Sequence, residues 1–148
     1  MLGALDVARY FLAQSDPDAG DTISNLKLQK LLYYAQGVTL ALTGNPLFPE
    51  AIEAWQHGPV VPSVYRKYKD SGAGPVKLDG GVDFDQFDEN TREILNDVYQ
   101  VYCQFSAWKL RNMTHDEPPW ANTPQSTEIS HAQLTDFFMT RVIRDGTE

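Results

Sequence analysis

The sequence has a single cysteine, Cys103, among 148 residues, which excludes an internal disulfide and favours a reducing compartment. It also lacks any apolar run that approaches the roughly 20 residues needed to span a bilayer. Residues 1–6 have no basic start and already include an acid, which is not typical of a signal peptide. These absences predict a cytoplasmic protein that makes no contact with a membrane.

Positive charge is scarce as well. The chain has 12 Lys and Arg residues against 20 Asp and Glu residues, a formal net charge of −8. General nucleic-acid binding draws much of its affinity from neutralising phosphates, so no nucleic-acid partner is expected. The acids are unevenly spread: residues 70–97 carry eight acids and two bases, whereas residues 21–69 carry three acids and five bases. The acidic segment is interpreted either as a solvated face or as a charge-selective partner surface.

Recognisable catalytic and metal-binding patterns are also missing. The three histidines do not have the paired spacing of metal ligands, and Cys103 has no electropositive neighbours that would activate a thiolate. We therefore predict no catalytic residue, no metal and no cofactor, and a protein that is not an enzyme. The rival hypothesis is a metal-assisted hydrolase that would use His57, His115, Asp116 and Glu117.

The most distinctive stretch that is present is an apolar helix predicted over about residues 24–43. Its apolar side chains recur at helical spacing, namely Leu28, Leu31, Leu32, Ala35, Val38 and Leu42. Only a narrow polar strip, with Lys27, Lys30 and Gln36, interrupts the apolar surface. A helix this apolar needs neighbours on most sides, so it is predicted to be the buried centre of the fold. The polar strip is interpreted as a solvent seam or as a place where a partner meets the helix.

The rest of the chain reads as shorter amphipathic helices around that centre. Ser24 or Thr22, Asp88 or Asn90, Ser106 and Ser130 are placed to cap helices, and Ser130 with Gln133 forms a capping-box pattern. Residues 76–78 and 82–84 alternate apolar and polar around Asp79-Gly80-Gly81, which predicts a small β-hairpin. The fold class expected is mainly α, a single compact helical domain over residues 1–148 with a small β-hairpin element.

Two segments combine aromatic residues with proline. One runs from Trp55 to Pro62 and the other from Thr114 to Trp120. Proline pins a loop in one shape, and tryptophan and histidine join an apolar body to a polar tip, so such loops often form recognition surfaces. They also often close the end of a helical core. The sequence leaves both interpretations open.

Four segments, in order along the chain, resemble a known family, the Panacea domain of SocA-like and other promiscuous bacterial and phage antitoxins. They are Leu26–Gly37, Gly44–Phe48, Glu53–Pro62 with Val64 and Tyr65, and Leu110–Trp120, which includes Thr114–Trp120. Any one motif is weak, but four in order identify the chain as a member. One departure is Gln56-His57, where the family commonly has an aromatic residue before Gly-Pro; this change alters a contact rather than the fold.

The resemblance implies an antitoxin that neutralises a toxin encoded beside it by direct protein binding. In SocA-like members it implies instead an adaptor that delivers the toxin to an ATP-dependent protease. A further alternative is a phage or prophage regulator of a host protein. The candidate toxin-binding residues are Lys27, Lys30, Trp55, His57, Pro59, Val60, Arg66, Lys67, Lys69, His115 and Trp120. Among these, the segment from Trp55 to Val61 and the basic helix from Pro62 to Lys69 come first, because they combine charge, aromatic rings and rigid turns.

Overall fold

The computed structural model describes residues 2–15 and 22–146, with side chains up to residue 141. Within these ranges it is mainly helical with one small antiparallel sheet, as predicted. The helices are α1 (Ala4–Gln14), α2 (Asn25–Thr43), α3 (Pro62–Tyr68), α4 (Glu89–Tyr102), α5 (Ala107–His115), α6 (Pro118–Ala121) and α7 (His131–Gly146). The strands are β1 (Ile52–Trp55), β2 (Gly58–Val60) and β3 (Glu128–Ile129), with β1 in the middle of the sheet.

Helix α2 is the predicted central helix, and its ends are set by local sequence. The Ser24 hydroxyl accepts a hydrogen bond from the Lys27 backbone N–H at 3.2 Å, and Gly44 ends the helix at φ +76°. Helices α1, α3, α4, α5 and α7 and strand β2 all pack against it. The prediction that α2 is enclosed is confirmed, except at its C-terminal end, where Leu42 is exposed.

The polar strip of α2 is not a solvent seam, which corrects that interpretation. Lys27 is 8 % exposed, and Lys30 and Gln36 are 0 % exposed. Each side chain hydrogen-bonds the backbone of a segment that passes over α2: Lys27 the carbonyl of Cys103, Lys30 that of Pro59 and Gln36 that of Phe48. The strip therefore holds non-helical segments onto the central helix. Burial is possible because each polar group finds a backbone partner.

The β-hairpin is present, but the prediction that places it at residues 76–84 is wrong. Val76 instead donates a backbone hydrogen bond to Ile23 at 2.8 Å, and residues 84–86 form a turn of 3-10 helix. The hairpin is β1–β2, in which Trp55 is paired with Gly58. The two three-residue runs at 76–78 and 82–84 could form few cross-strand pairs with each other. Strand β1, in contrast, pairs with β3 as well as with β2.

Helix α7 packs against α2 through a close contact between Gly37 and Phe138. A Cβ atom added to Gly37 would lie 2.8 Å from Cγ of Phe138 and closer still to two other ring carbons. The ring has little freedom to move, because Phe138 is 1 % exposed and lies edge-on to Tyr33 and Tyr34. Glycine is therefore required here by close approach of the two helices, not by an unusual backbone angle.

Replacing Gly37 with alanine is expected to lower the free energy of unfolding by about 2 kcal/mol. Overpacking of this kind costs about 1–3 kcal/mol, and the better helix propensity of alanine offsets up to about 1 kcal/mol. Urea denaturation measures the change. Gly81→Ala is the matched control, since nothing lies within 4 Å of a Cβ there. Equal stabilities of the two variants would contradict the close-approach argument.

Candidate functional site

The β1–β2 hairpin presents its two-residue turn, Gln56 and His57, to solvent. Gly58 follows at φ +114°, and a Cβ added there would lie 2.7 Å from Cε of Lys30 and 2.9 Å from Oγ1 of Thr114. A side chain at residue 58 is excluded both by the backbone angle and by this contact. At Gly58 the hairpin therefore packs closely against Lys30 of α2 and Thr114 of α5, and we call this its rear side. The opposite, front side is exposed at Gln56 and His57.

The two aromatic-proline segments of the sequence meet in the structure. The Trp120 indole N–H donates a hydrogen bond to the carbonyl of Trp55 at 2.8 Å. The His115 ring stacks on Trp120, with centroids 3.9 Å apart and an interplanar angle of 5°. Burial lowers the pKa of His115, with Arg111 as the next cause. His115 and Trp120 therefore support the hairpin from behind, while Trp55 is half-buried at its front.

A pocket of about 400 Å³ opens beside the hairpin turn. Its walls come from β1, from the first turns of α2, from α3 and from the turn after α3. The lining residues are Asn25, Leu26, Gln29, Trp55, Gln56, His57, Val60, Tyr65, Lys69, Gly72 and Ala73. Trp55 and Tyr65 form an aromatic wall with ring centroids 5.1 Å apart. Four predicted site residues, Trp55, His57, Val60 and Lys69, thus share one concave surface.

The basic side chains of the α3 region do not have equal roles. Arg66, Lys67 and Lys69 are all exposed, but Lys67 lies 3.1 Å from Asp79. Asp79 also accepts hydrogen bonds from Arg9 and Tyr68. Partial burial acts to raise the pKa of Asp79, but these hydrogen bonds outweigh it and hold the pKa well below its usual range. Lys67 therefore joins α3 to the segment after it.

Four of the predicted site residues are buried. Lys27, Lys30 and Pro59 are covered by other parts of the fold, so a partner cannot touch their side chains in this conformation, whereas the buried Val60 lines the wall of the pocket. Burial, and after it the neighbouring charge of Arg111, lowers the pKa of Lys30 to about 7. The described residues provide no carboxylate within salt-bridge distance of the Lys30 amine. These residues position the hairpin and do not form its outer surface.

An aromatic residue beside the hairpin turn was missed by sequence reasoning. Trp108 on α5 is 57 % exposed, and its ring centroid lies 6.3 Å from that of His57. The Arg111 guanidinium lies 4.4 Å above the Trp108 ring, a cation–π geometry. The available signal was the spacing of three residues between Trp108 and Arg111, at which helical side chains meet on one face. We call Trp55, Gln56, His57, Lys69 and Trp108 the hairpin face.

The residues of the hydrolase hypothesis do not converge on a site. The Glu117 carboxylate lies in the core and accepts hydrogen bonds from the hydroxyls of Tyr33 and Tyr34, each at 2.9 Å. Burial raises the pKa of Glu117, although the two tyrosine hydrogen bonds oppose the rise. His115 is stacked on Trp120, and among the side chains of residues 2–15 and 22–141 no three of His, Cys, Asp or Glu are placed to hold a metal.

The acidic segment has identifiable local roles. Asp83 and Asp88 accept hydrogen bonds from the backbone N–H groups of Asp85 and Thr91, at the starts of a 3-10 turn and of α4. Asp79 binds Arg9, Lys67 and Tyr68 as described above. These contacts favour a structural role for Asp79, Asp83 and Asp88. None of the helices in the described part of the chain is long and apolar enough to cross a membrane.

Comparison of the sequence with known proteins gives evidence about the family of this chain. The family described as "Antitoxin SocA-like, Panacea domain" matches residues 28–121, which is more than half of the chain. The protein Antitoxin SocA of Caulobacter vibrioides (strain NA1000 / CB15N) is 54 % identical over 50 residues, which cover 34 % of this chain and 27 % of SocA. The chain thus spans about a quarter of the length of that relative. No solved structure matches the chain significantly.

The matched range contains most of α2, the hairpin and all of α3, α4, α5 and α6. It therefore includes the central helix and every residue of the hairpin face. On this match the chain belongs to the SocA-like, Panacea-domain family of antitoxins.

Proposed function

We propose that this protein neutralises a toxin encoded beside it by binding the toxin directly through the hairpin face. The antitoxin family supports the general role. The observation that supports the surface is the exposed hairpin turn between an aromatic-walled pocket and Trp108. Aromatic side chains with a polar or cationic rim are typical of binding hot spots. The rigid hairpin lowers the entropy lost on binding.

Co-expression tests the role itself. The gene next to this one is expressed alone and together with this protein, and growth is measured. A neighbour that is toxic alone and harmless in the pair supports the antitoxin role. Growth arrest that this protein does not relieve contradicts it. A neighbour without toxicity favours the alternative of a phage or prophage regulator that acts on a host protein.

Toxin stability separates direct binding from the second alternative, an adaptor for an ATP-dependent protease. Direct binding predicts that the toxin persists in a stoichiometric complex when this protein is present. Delivery to a protease predicts that the half-life of the toxin falls when this protein is present and recovers when the protease is removed. Immunoblots after a block of translation distinguish the two outcomes.

Reversing the free charges near the hairpin is expected to weaken toxin binding about tenfold. Arg66 and Lys69 are exposed and form no salt bridge with another described residue. The double variant Arg66→Glu with Lys69→Glu should slow association most at low salt, because charges at the rim of an interface mainly steer encounter. Surface plasmon resonance against the purified toxin measures the association rate.

Lys77→Glu is the control for added negative charge, since Lys77 is exposed and does not line the pocket. Lys67 is left intact because its ion pair with Asp79 would mix a folding effect with a binding effect. Unchanged affinity in a folded double variant would remove Arg66 and Lys69 from the proposed surface. A loss that is equal in Lys77→Glu would show a general charge effect.

A further inference from the structure

The pocket beside the hairpin has walls suited to an apolar group. Leu26 and Val60 add aliphatic surface to the aromatic wall of Trp55 and Tyr65. The Trp55 indole N–H is already used in a hydrogen bond to Glu53 at 2.9 Å. A volume of about 400 Å³ lies at the lower end of the range of pockets that hold small ligands. It has room for one large side chain with its adjoining backbone.

The polar atoms in the floor of the pocket are largely satisfied within the protein. Gln29 donates to Asn25 at 2.9 Å and accepts from the backbone N–H of Val61 at 2.9 Å. Asn25 in turn donates to the carbonyl of Tyr65 at 3.1 Å. Both side chains are almost fully buried. An occupant therefore gains mainly by covering apolar surface, and not by supplying hydrogen bonds to the floor.

The charge of the pocket differs from that of the whole protein. Lys69 is the one Lys, Arg, Asp or Glu side chain in the lining, and no salt bridge joins it to another described residue. The chain as a whole carries a net charge of −8. An acidic group is repelled by most of this protein but attracted to the pocket rim. The complementary occupant is an apolar side chain with a carboxylate beside it.

We infer that the pocket receives a large apolar side chain of the toxin, preferably aromatic, next to an Asp or Glu that pairs with Lys69. The inference rests on the proposed antitoxin function for the identity of the partner. It goes further in naming the chemistry that the toxin must present. A toxin whose contacting segment lacks an acidic residue beside an apolar one does not fit this pocket.

Two short peptides test the chemistry without the toxin. N-acetyl-Asp-Phe-amide and N-acetyl-Lys-Phe-amide are titrated into isotope-labelled full-length protein, and NMR follows the Trp55 indole and the Asn25 and Gln29 amides. The acidic peptide should shift these signals and bind about three- to tenfold more tightly than the basic one. Lys69→Glu should reverse this preference, whereas Lys77→Glu should leave it unchanged.

A bulky residue at the rim of the pocket tests whether the pocket receives an apolar side chain. Ala73 is exposed and lines the pocket, so Ala73→Trp should fill it without disturbing the core and should weaken peptide binding by about tenfold or more. Ala132→Trp introduces the same side chain at an exposed position that does not line the pocket. Absent shifts, or equal binding of the two peptides to the unmodified protein, would overturn the inference.

Growth rescue in the co-expression experiment with the neighbouring gene distinguishes failure of this inference from failure of the proposed function. Failure of the unmodified protein to rescue growth overturns the antitoxin role. Rescue by the unmodified protein and by Ala73→Trp alike overturns the pocket and leaves the antitoxin role intact. Rescue that is lost in Ala73→Trp and kept in Ala132→Trp supports both. If Ala73→Trp turns a dimer into a monomer in sedimentation, the occupant is a second copy of this chain and the inference is wrong.

Discussion

Replacing Lys30 with methionine is expected to remove a rise in stability that the unmodified protein shows between pH 7 and pH 9.5. Lys30 is 0 % exposed, and among the described residues its amine hydrogen-bonds the Pro59 carbonyl alone. Burial, followed by the charge of Arg111, lowers its pKa from 10.5 to about 7. Between these two values the unfolded chain holds a proton on Lys30 that the folded protein lacks. The free energy of unfolding therefore rises with pH.

The size of this effect follows from the pKa difference. Each pH unit in the window contributes about 1.4 kcal/mol, so the rise from pH 7 to pH 9.5 is about 3 kcal/mol. Below pH 7 both states carry the charge, and the methionine variant should be the more stable protein by a few kcal/mol, because it buries no ammonium group. The gain is reduced by the Pro59 carbonyl that loses its donor.

Guanidinium denaturation at a series of pH values measures how the free energy of unfolding changes with pH in the unmodified protein and in Lys30→Met. The upper limit of pH 9.5 avoids the tyrosines: burial raises the pKa of Tyr33, Tyr34 and Tyr68, so their ionisation in the unfolded chain lowers stability above about pH 10. Lys77→Met, at an exposed position, is the control and should keep the rise. Parallel curves for the unmodified protein and Lys30→Met would contradict the predicted proton loss.

Replacing Glu117 with leucine is expected to lower the free energy of unfolding by about 3 kcal/mol. The carboxylate accepts from the hydroxyls of Tyr33 and Tyr34 and so joins α2 to the start of α6. Each buried hydroxyl left without an acceptor costs about 1–3 kcal/mol. The cost is partly offset, because burial raises the pKa of Glu117 and its charged form is therefore disfavoured in the folded state.

A set of variants isolates this network. Tyr33→Phe with Tyr34→Phe and Glu117→Leu removes donors and acceptor together, and the triple variant should be more stable than Glu117→Leu alone. The pH dependence has a defined sign as well. The folded state holds the Glu117 proton more tightly, so the contribution of this group to stability falls as the pH rises above 4.5 and levels off above the raised pKa. A triple variant no more stable than Glu117→Leu would contradict a satisfied three-residue network.

The parts of the fold that could be predicted are those with a local cause. Ser106 and Ser130 cap the helices predicted for them, and Ser24 and Asp88 are the capping residues where the sequence offered Thr22 and Asn90 as alternatives. The required partner is a backbone N–H only three residues away, so the signal lies within one turn of chain. The apolar periodicity of α2 likewise predicted a buried central helix, because a side chain's position around a helix depends only on its number.

The hairpin and the polar strip show where such reasoning ends. Residues 76–84 have the alternation of a hairpin, but Val76 bonds Ile23 across the fold and no strand forms there. Lys30 lies on the polar strip that the sequence left open to solvent or a partner, whereas in the structure it is buried and donates to the Pro59 carbonyl at 3.1 Å. Lys67 and Lys69 look equivalent on one short segment. Only the position of Asp79 separates a structural lysine from a free one.

The helical fold class, the central helix and the antitoxin family could all be predicted from the sequence. These features depend on neighbouring residues and on ordered motifs, both of which are readable along the chain. Which polar groups are buried, where the hairpin forms and which side chains share the pocket and the hairpin face became clear only in the folded structure. Those outcomes depend on partners brought together from distant segments: Pro59 for Lys30, Tyr33 and Tyr34 for Glu117, and Trp108 for His57.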